Sequence, residues 1–203
     1  MSDGGVRRVR AGRRTVEVHR PDKVLFPRGD DTKVFDLDPA VDDFARVRET
    51  ALYLGESLDM LRLPSAPMTT GSRGLHIVVP LSGHHGFDEV REFAGGVAEV
   101  PAAAHPDRLT TAARRKERGD RLHLDVQRNA YAQTAVAPYS VRAEPGAPVA
   151  VFLGWDQLDD PDLTARRWTI ADAVEQARTR PWGGLMRRGR ALGPARRRLD
   201  AMV

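Results

Sequence analysis

The stretch Val34-Phe35-Asp36-Leu37-Asp38-Pro39 combines an apolar run with two carboxylates placed two residues apart, and it ends at a proline. On a β-strand successive side chains alternate between faces, so Asp36 and Asp38 would project from one face while Phe35 and Leu37 point into a core. Hard cations such as Mg²⁺ and Mn²⁺ take oxygen ligands and often use one or two carboxylates together with substrate phosphate. The stretch therefore predicts a divalent-metal site, although the exposed end of an edge strand would show the same pattern.

The composition limits the class of protein. A chain of 203 residues is long enough for one domain with a sizeable core. Lysine and arginine number 32 against 28 aspartate and glutamate, and arginines are concentrated near both ends. Basic ends favour a polyanionic partner because each neutralised phosphate releases a counterion, although such ends are also often only solvated. The absence of cysteine excludes disulfides and thiolate metal sites.

The chain shows no signal for membrane insertion or export. No apolar stretch approaches the roughly 20 residues needed to cross a bilayer. The first residues also lack the apolar core of a secretory signal. We therefore expect a cytoplasmic protein without a membrane partner.

Apolar spacing predicts the order of elements along the chain. Helices are predicted over residues 41–61, 87–100 and 170–178. Extended segments are predicted at 15–18, 34–38, 77–81, 122–126, 134–142 and 149–153, with a hairpin tip at 114–121. Strands that alternate with helices indicate an α/β or α+β sheet. Residues 1–14 are predicted to be a disordered basic tail and 183–203 a second basic tail, which leaves 15–182 as the domain.

A third carboxylate, Asp125, lies between Leu124 and Val126 in one of these predicted strands. An unpaired carboxylate in such a setting would be costly. Asp125 is therefore interpreted either as the buried partner of an arginine or as a third metal ligand.

Phosphate-binding groups are predicted near these carboxylates. Gly71 and Gly74 would let the backbone approach a phosphate closely. Arg73, His76 and Arg142 are candidate phosphate donors, although His76 could instead cap a strand and Arg142 could pair with an acidic residue. Three carboxylates with cationic donors suit two-metal nucleotidyl transfer. One metal activates the attacking 3′-hydroxyl and the other stabilises the leaving pyrophosphate.

Three separated motifs resemble the polymerase/primase domain of bacterial DNA ligase D. That domain belongs to the archaeo-eukaryotic primase superfamily and works in non-homologous end joining. The motifs are Phe-Asp-Leu-Asp-Pro at 35–39, Thr-Gly-Ser-Arg-Gly-Leu-His at 70–76 and Ala-Pro-Tyr-Ser-Val-Arg at 137–142. The resemblance runs in order from about Thr15 to Trp182. It implies an α+β fold of α/β-like character, a primase-type catalytic core in which a mixed, largely antiparallel sheet is flanked by helices.

The resemblance also implies roles for individual residues. Asp36, Asp38 and Asp125 would be the catalytic triad that binds two metal ions, Mn²⁺ or Mg²⁺. The family's lysines that recognise a DNA 5′-phosphate fall on Lys23 and Lys33. The residues implied to bind the incoming nucleotide are Thr70, Arg73, Gly74, His76 and Arg142.

The substrates and partners implied are those of an end-joining polymerase. The substrates would be ribo- or deoxynucleoside triphosphates, with ribonucleotides preferred, and gapped or overhanging DNA ends that carry a 5′-phosphate. An end-joining ligase and a DNA-end-binding protein are further expected partners. A DNA substrate places the expected cytoplasmic protein at the nucleoid.

One large departure from the family pattern keeps an alternative open. Lys33 directly precedes Val34, whereas the family has many tens of residues between its Thr-Lys element and the Asp-Leu-Asp strand. That segment normally supplies a helix, several strands and the aromatic platform for the nucleotide base. The main hypothesis is a shortened nucleotidyltransferase. The alternative is a catalytically impaired relative that binds DNA ends or nucleotides as an accessory module.

A third hypothesis is a haloacid-dehalogenase-type phosphatase with Asp36 as its nucleophile. Its opening motif resembles Phe35-Asp36-Leu37-Asp38. That class has Gly-Thr after the second aspartate, whereas this chain has Pro39-Ala40. The phosphatase hypothesis is therefore disfavoured.

Overall fold

A short antiparallel hairpin lies near the start of the chain. The computed structural model describes residues 7–11, 14–18, 32–39, 43–82, 85–126 and 135–202. Strand β1 (Arg7–Ala11) pairs with β2 (Arg14–Val18), in agreement with the strand predicted at 15–18. The disorder predicted for residues 1–14 is therefore wrong for β1. Pairing with β2 satisfies backbone groups of the basic segment, which composition alone does not indicate.

A mixed five-stranded sheet forms the centre of the fold. Its strands are β3 (Thr32–Asp38), β4 (Ala66–Thr69), β5 (Leu75–Pro80), β6 (Leu109–Thr110) and β7 (Leu122–Asp125). They lie in the order β4-β5-β3-β7-β6, and neighbouring strands are antiparallel except β6 and β7. The predicted α+β fold with a mixed, largely antiparallel sheet is confirmed.

The central strand β3 separates two layers of side chains. Phe35 and Leu37 are buried in the main core, as the alternating pattern predicts. Val34 and Asp36 lie on the opposite face, where Val34 belongs to a second apolar cluster. We call this the second cluster; its buried members are Val34, Ala66, Met68, Val78, Phe152 and Leu185. Because β5 and β7 flank β3 on both sides, the edge-strand alternative is excluded.

Two long helices cover the face that carries Phe35. Helix α1 (Phe44–Met60) follows Asp43, whose carboxylate accepts a hydrogen bond from the Arg46 amide at 3.1 Å. Its buried apolar residues recur every three or four positions: Val47, Ala51, Leu54 and Leu58. Helix α2 (Phe87–Ala104) extends beyond the predicted end at 100 and includes Pro101 near its end. Both Pro101 and the following Ala102 are buried, so packing extends the helix beyond the predicted end.

The connection from β6 to β7 differs from the prediction. The two strands are parallel, and α3 (Arg115–Arg118) lies in the segment between them. Residues 114–121 are therefore part of a crossover, and the prediction of a hairpin tip is wrong. Parallel neighbours require such a crossover, because a tight turn can join only antiparallel strands.

The segment that follows residue 134 is irregular. Within the described part of 134–142, only Val141 forms a strand-like bridge, to Val149, so the extended segment predicted there is wrong. Residues 149–153 are extended, as predicted, and lie beside β4. The Thr69 amide donates to the Val151 carbonyl at 2.9 Å, and the Leu153 amide donates to the Pro67 carbonyl at 2.9 Å.

The end of the chain is folded onto the domain. Helix α4 (Ala173–Arg178) is shorter than predicted and is followed by a 3₁₀ turn at Leu185–Arg188 and by α5 (Leu192–Asp200). The interpretation of residues 183–203 as a tail is thus wrong for these elements. Apolar residues at helical spacing among the arginines are buried: Leu192, Ala195 and Leu199. None of the helices in the described ranges is long and apolar enough to cross a bilayer.

Candidate active site

The predicted carboxylates meet on the face of the sheet opposite α1. In the strand register Asp36 lies between His76 of β5 and Asp125 of β7, and Asp38 lies opposite His123. Directly opposed residues in an antiparallel pair project from the same face. The topology therefore places three aspartates and two histidines on one surface, and long-range strand pairing brings Asp125 to Asp36.

Each carboxylate of β3 already contacts a cationic or ionisable group. His76 Nε2 lies 3.5 Å from Asp36 Oδ1, and both side chains are buried. Arg73 Nη2 donates to both oxygens of Asp38 at 3.3 Å, in a pair that is about half exposed. The guanidinium thus partly neutralises the acidic surface at its open end.

A pocket of about 360 Å³ opens over these residues. It contains Asp36 and Asp38 of the predicted metal site and all five predicted nucleotide-binding residues. The lining residues are Asp36, Asp38, Thr70, Ser72, Arg73, Gly74, His76, Ala135, Val136 and Arg142. Acidic and cationic groups that line one pocket are suitable for holding a phosphate group next to a metal ion.

The turn between β4 and β5 is held by Thr70. Its hydroxyl donates to the Gly74 carbonyl at 2.9 Å and accepts from the Ser72 and Gly74 amides at 3.3 Å each. Gly71 has a φ of 65°, which favours glycine. A Cβ at Gly74 would lie 2.1 Å from the Leu37 carbonyl oxygen. Gly74 therefore allows the turn to pack directly against the end of β3.

Arg142 lines the same pocket and lies beside the glycine turn. Its amide donates to the Pro148 carbonyl at 2.8 Å, which fixes the backbone of this segment. A Cβ at Gly71 would lie 2.7 Å from Arg142 Cγ, so the Arg142 side chain packs closely against the turn. The structure thus brings Arg142 next to the turn that carries Thr70 and Arg73.

The donor set is suitable for a divalent cation. Asp36, Asp38 and Asp125 supply only hard oxygen ligands, and they occupy adjacent positions on one face. In the part of the chain that is described, no three carboxylate or imidazole groups lie close enough together to hold an ion as they stand. Binding of a cation at all three carboxylates therefore requires them to move closer together, and Arg73 competes with the cation for Asp38.

Of the two lysines predicted to bind a DNA 5′-phosphate, Lys33 lies within the described residues, and it does not line this pocket. Lys23 lies outside the described residues. Lys33 lies inside β3, is only 3% exposed and donates a hydrogen bond to the Val126 carbonyl. Burial lowers the pKa of Lys33 from 10.5 to about 8, and the positive charge of Arg91 also lowers it, while the Asp125 carboxylate opposes this change.

The buried ammonium of Lys33 predicts a pH-dependent stability. Between pH 8 and 10.5 the unfolded chain binds this proton and the folded chain does not, so the wild type becomes more stable as pH rises. Below pH 8 both states are protonated, and the full cost of burying the cation is present. Relative to that of Lys33→Met, the free energy of unfolding of the wild type is expected to rise by roughly 3 kcal/mol between pH 7 and 10.5.

Urea unfolding of both proteins at several pH values measures this difference. Lys116→Met is the matched control, because Lys116 is exposed on α3. The difference in free energy of unfolding between Lys116→Met and the wild type should stay constant with pH. A constant difference for Lys33→Met as well would show that Lys33 is not buried as a cation.

Sequence reasoning missed several residues around the carboxylates. His123 precedes Asp125 by two positions on the same strand face, so strand alternation could have identified it. Burial lowers the pKa of His123, and so does Arg118, whereas the carboxylates of Asp125 and Asp36 act in the opposite direction. A second depression of about 220 Å³ contains Asp38, Pro39, Arg73, Arg115, Arg118, Gly119, Arg121 and His123.

The fold and site together define a class of protein. A mixed sheet carries paired carboxylates on one face, beside a glycine turn and cationic donors, as expected for a nucleotidyltransferase domain. The family model described as the LigD primase-polymerase domain matches residues 9–182. The chain therefore belongs to the LigD primase-polymerase domain family, and the predicted resemblance is confirmed.

Individual relatives agree with this assignment. The multifunctional non-homologous end joining protein LigD of Pseudomonas aeruginosa is 33% identical over 153 residues, which cover 75% of this chain and 17% of the relative. The bifunctional non-homologous end joining protein LigD of Bacillus subtilis is 31% identical over 163 residues, covering 79% and 26%. The chain thus spans about a quarter or less of the length of these relatives.

A solved structure supports the same fold. The polymerase domain of Mycobacterium tuberculosis ligase D, in complex with DNA, superposes with a TM-score of 0.70 and 26% sequence identity. The superposition covers 90% of this chain and 61% of that one. The described chain therefore shares the architecture of a polymerase domain that binds DNA.

Proposed function

We propose that this chain is a metal-dependent nucleotidyltransferase of the primase-polymerase type. It adds nucleotides, preferably ribonucleotides, to DNA ends or gaps in bacterial non-homologous end joining, and it acts at the nucleoid in the cytoplasm. The single observation that supports this most is the register that places Asp36 opposite Asp125, next to a pocket lined by Arg73 and Arg142. Membership in a family of metal-dependent nucleotidyltransferases supports it further.

In this proposal Asp36, Asp38 and Asp125 hold Mn²⁺ or Mg²⁺. When bound, the cations activate the 3′-hydroxyl of the DNA end and neutralise charge on the leaving pyrophosphate. Asp36 is held in place by His76, whose ring nitrogen is 3.5 Å from the carboxylate. The burial of Asp36 and His76 keeps this part of the site pre-organised, because neither side chain can exchange freely with water.

The cationic residues would position the triphosphate. Arg142 donates to phosphate oxygens from one wall of the pocket, and Arg73 exchanges its contact with Asp38 for a phosphate oxygen. Thr70 and Gly74 hold the turn that carries Arg73, so they act on the nucleotide through the shape of that turn. These residues orient the α-phosphate for attack by the 3′-hydroxyl.

The proposed function also includes recognition of the DNA end. We assign the 5′-phosphate to Lys23, and to Lys33 only if its ammonium leaves the buried contact with the Val126 carbonyl. An end-joining ligase and a DNA-end-binding protein are the proposed partners. They would seal and hold the ends that this chain extends.

The second candidate function is an accessory module that binds DNA ends or nucleotides without catalysis. The contact between Arg73 and Asp38 favours it, because this contact occupies one predicted metal ligand. The direct junction of Lys33 and Val34 also favours it, since the family's aromatic platform for the base is missing from this position. Stacking on such a platform contributes roughly 1–3 kcal/mol per base.

Primer extension distinguishes the two candidates. Purified protein is incubated with gapped and overhanging DNA, with and without a 5′-phosphate, in Mn²⁺ or Mg²⁺ with ribo- or deoxynucleotides. We expect addition that requires the metal, is lost in EDTA and in Asp36→Ala/Asp38→Ala, and is strongest with ribonucleotides and the 5′-phosphate. Nucleotide or DNA binding without any addition would contradict the catalytic proposal and identify the accessory module.

A further inference from the structure

Two exposed arginines lie on the 3₁₀ turn Leu185–Arg188, outside the residues 9–182 that match the family. Arg187 and Arg188 are exposed, and within the described chain neither guanidinium forms an ion pair. We propose that this turn binds the phosphate backbone of the DNA that enters the active site. The inference rests on the proposed function for the identity of the DNA, and it concerns residues that lie after the range matched by the family model.

The turn is anchored on the same face of the sheet as the carboxylates. Leu185 is 5% exposed and packs into the second cluster, together with Val34 of β3 and Val78 of β5. Val34 and Asp36 lie on the same face and are two residues apart, which corresponds to roughly 7 Å along a strand. The anchor of the turn therefore lies on the same face as the acidic site. Arg190, which follows the turn, pairs with Leu81 at the end of β5 away from His76, so the turn would contact DNA at a distance from the carboxylates.

The segment before the turn contacts a wall of the pocket. Trp182 packs against the second cluster, and its Nε1 donates to the Tyr139 hydroxyl at 2.8 Å. Val136 packs against the same cluster and also lines the pocket. The position of the turn is thus fixed relative to the site through side chains that both share.

The arginines of α5 have a different environment. This helix packs through Leu192 and Leu199 into the main core, on the side of α2. Arg196 lies 3.6 Å from Glu92 of α2, and Arg198 donates to the Leu61 carbonyl at 3.3 Å. The arginines of the turn and those of α5 therefore lie on different faces, and the turn is on the face of the active site.

Charge explains why DNA needs such a surface. Asp36 and Asp38 repel phosphates, so a polyanion that reaches the site must be held by cations around them. The second depression provides arginines beside Asp38, including Arg115 and Arg121. Arg187 and Arg188 provide further cationic groups, on the turn that packs against the second cluster. Arginine suits this role because its guanidinium can engage two phosphate oxygens at once.

The salt dependence of DNA binding tests the inference. The affinity of a fluorescent 5′-phosphorylated duplex with a 3′ overhang is measured by anisotropy from 50 to 200 mM salt, without nucleotide or metal. The wild type is compared with Arg187→Gln/Arg188→Gln. Each phosphate contact contributes about −0.9 to the slope of log K against log salt, so the slope of the variant should be smaller in magnitude by about 1–2.

A matched control separates this surface from net charge. Arg62→Gln/Arg197→Gln removes the same charge from exposed positions just after α1 and on α5 and should leave the slope unchanged. An unchanged slope in Arg187→Gln/Arg188→Gln, or an equal fall in the control, would overturn the inference. Thermal unfolding confirms that both variants are folded.

The same experiment separates this inference from the proposed function. Binding is measured without chemistry, so a reduced slope supports the DNA surface even if no nucleotide is added in primer extension. An unchanged slope beside normal nucleotide addition rejects the surface and leaves the proposed function intact.

Discussion

Asp36→Asn is expected to lower the rate of nucleotide addition by about 10³-fold or more while the protein stays folded. Asparagine keeps the size of the side chain but removes the charge that a divalent cation requires. Asp36 lies at the centre of the site, between His76 and Asp125, and is 6% exposed, so water replaces little of the lost interaction. A factor of 10³ corresponds to about 4 kcal/mol of transition-state stabilisation. Asp125→Asn should show a comparable loss.

The loss is measured by single-turnover primer extension at saturating nucleotide, with thermal unfolding of the same samples. Asp59→Asn is the matched control, because Asp59 is an exposed acid on α1 and lies on the covered side of the sheet. We expect the control to retain full activity. If Asp36→Asn added nucleotides within a few-fold of the wild type, the assignment of the catalytic carboxylates would be wrong.

Gly74→Ala is expected to destabilise the fold by about 3 kcal/mol and to remove nucleotide addition. The new Cβ would meet the Leu37 carbonyl at 2.1 Å and the Leu37 carbonyl carbon at 3.1 Å, which are backbone atoms of β3. Either the strand or the turn that begins at Thr70 has to move, and overpacking of this kind typically costs 1–3 kcal/mol. For a chain of this size the melting temperature should fall by roughly 6–12 °C.

Gly95→Ala, in contrast to Gly74→Ala, is expected to stabilise the fold. Gly95 lies inside α2, and a Cβ there would have no neighbour within 4 Å. Alanine should therefore raise the free energy of unfolding by roughly 0.5–1 kcal/mol, because glycine disfavours the helix. Equal melting temperatures for Gly74→Ala and the wild type would contradict the described packing of the turn against β3.

Local patterns were sufficient to predict the part of the site carried by β3. The strand period of two places Asp36 and Asp38 on one face and Phe35 on the other, and no knowledge of neighbouring strands is needed. Helical spacing likewise predicted α1 and most of α2. The glycine turn and the approximate positions of β5 and β7 followed from short motifs and apolar runs.

The pairing of strands that are far apart in the sequence could not be predicted from local patterns. The partner of a strand residue depends on register, so the opposition of Asp36 to Asp125 could be inferred only through the family. The charge and glycine of residues 114–121 are typical of a turn. Because β6 and β7 pair in parallel, this segment is part of a crossover instead. The predicted strand at 34–38 starts after Lys33, whereas β3 begins at Thr32 and buries the Lys33 side chain.

The structure of residues 192–200 also could not be predicted from their composition. A run of arginines around Leu192, Ala195 and Leu199 has the composition of a solvated tail. Burial of these three apolar side chains against the core decides the structure instead, because it offsets the entropy of ordering the helix. Tertiary packing therefore sets which of the arginines reach the active-site face.

Binding of Mn²⁺ to the carboxylates tests the central claim most directly. Isothermal titration of Mn²⁺ into the wild type, Asp36→Asn and Asp59→Asn, each with a non-reacting triphosphate analogue, measures it without catalysis. We predict binding to the wild type and to Asp59→Asn, and an affinity reduced about 100-fold or more in Asp36→Asn. Equal affinity in all three proteins would show that the acidic face of β3 is not a metal site.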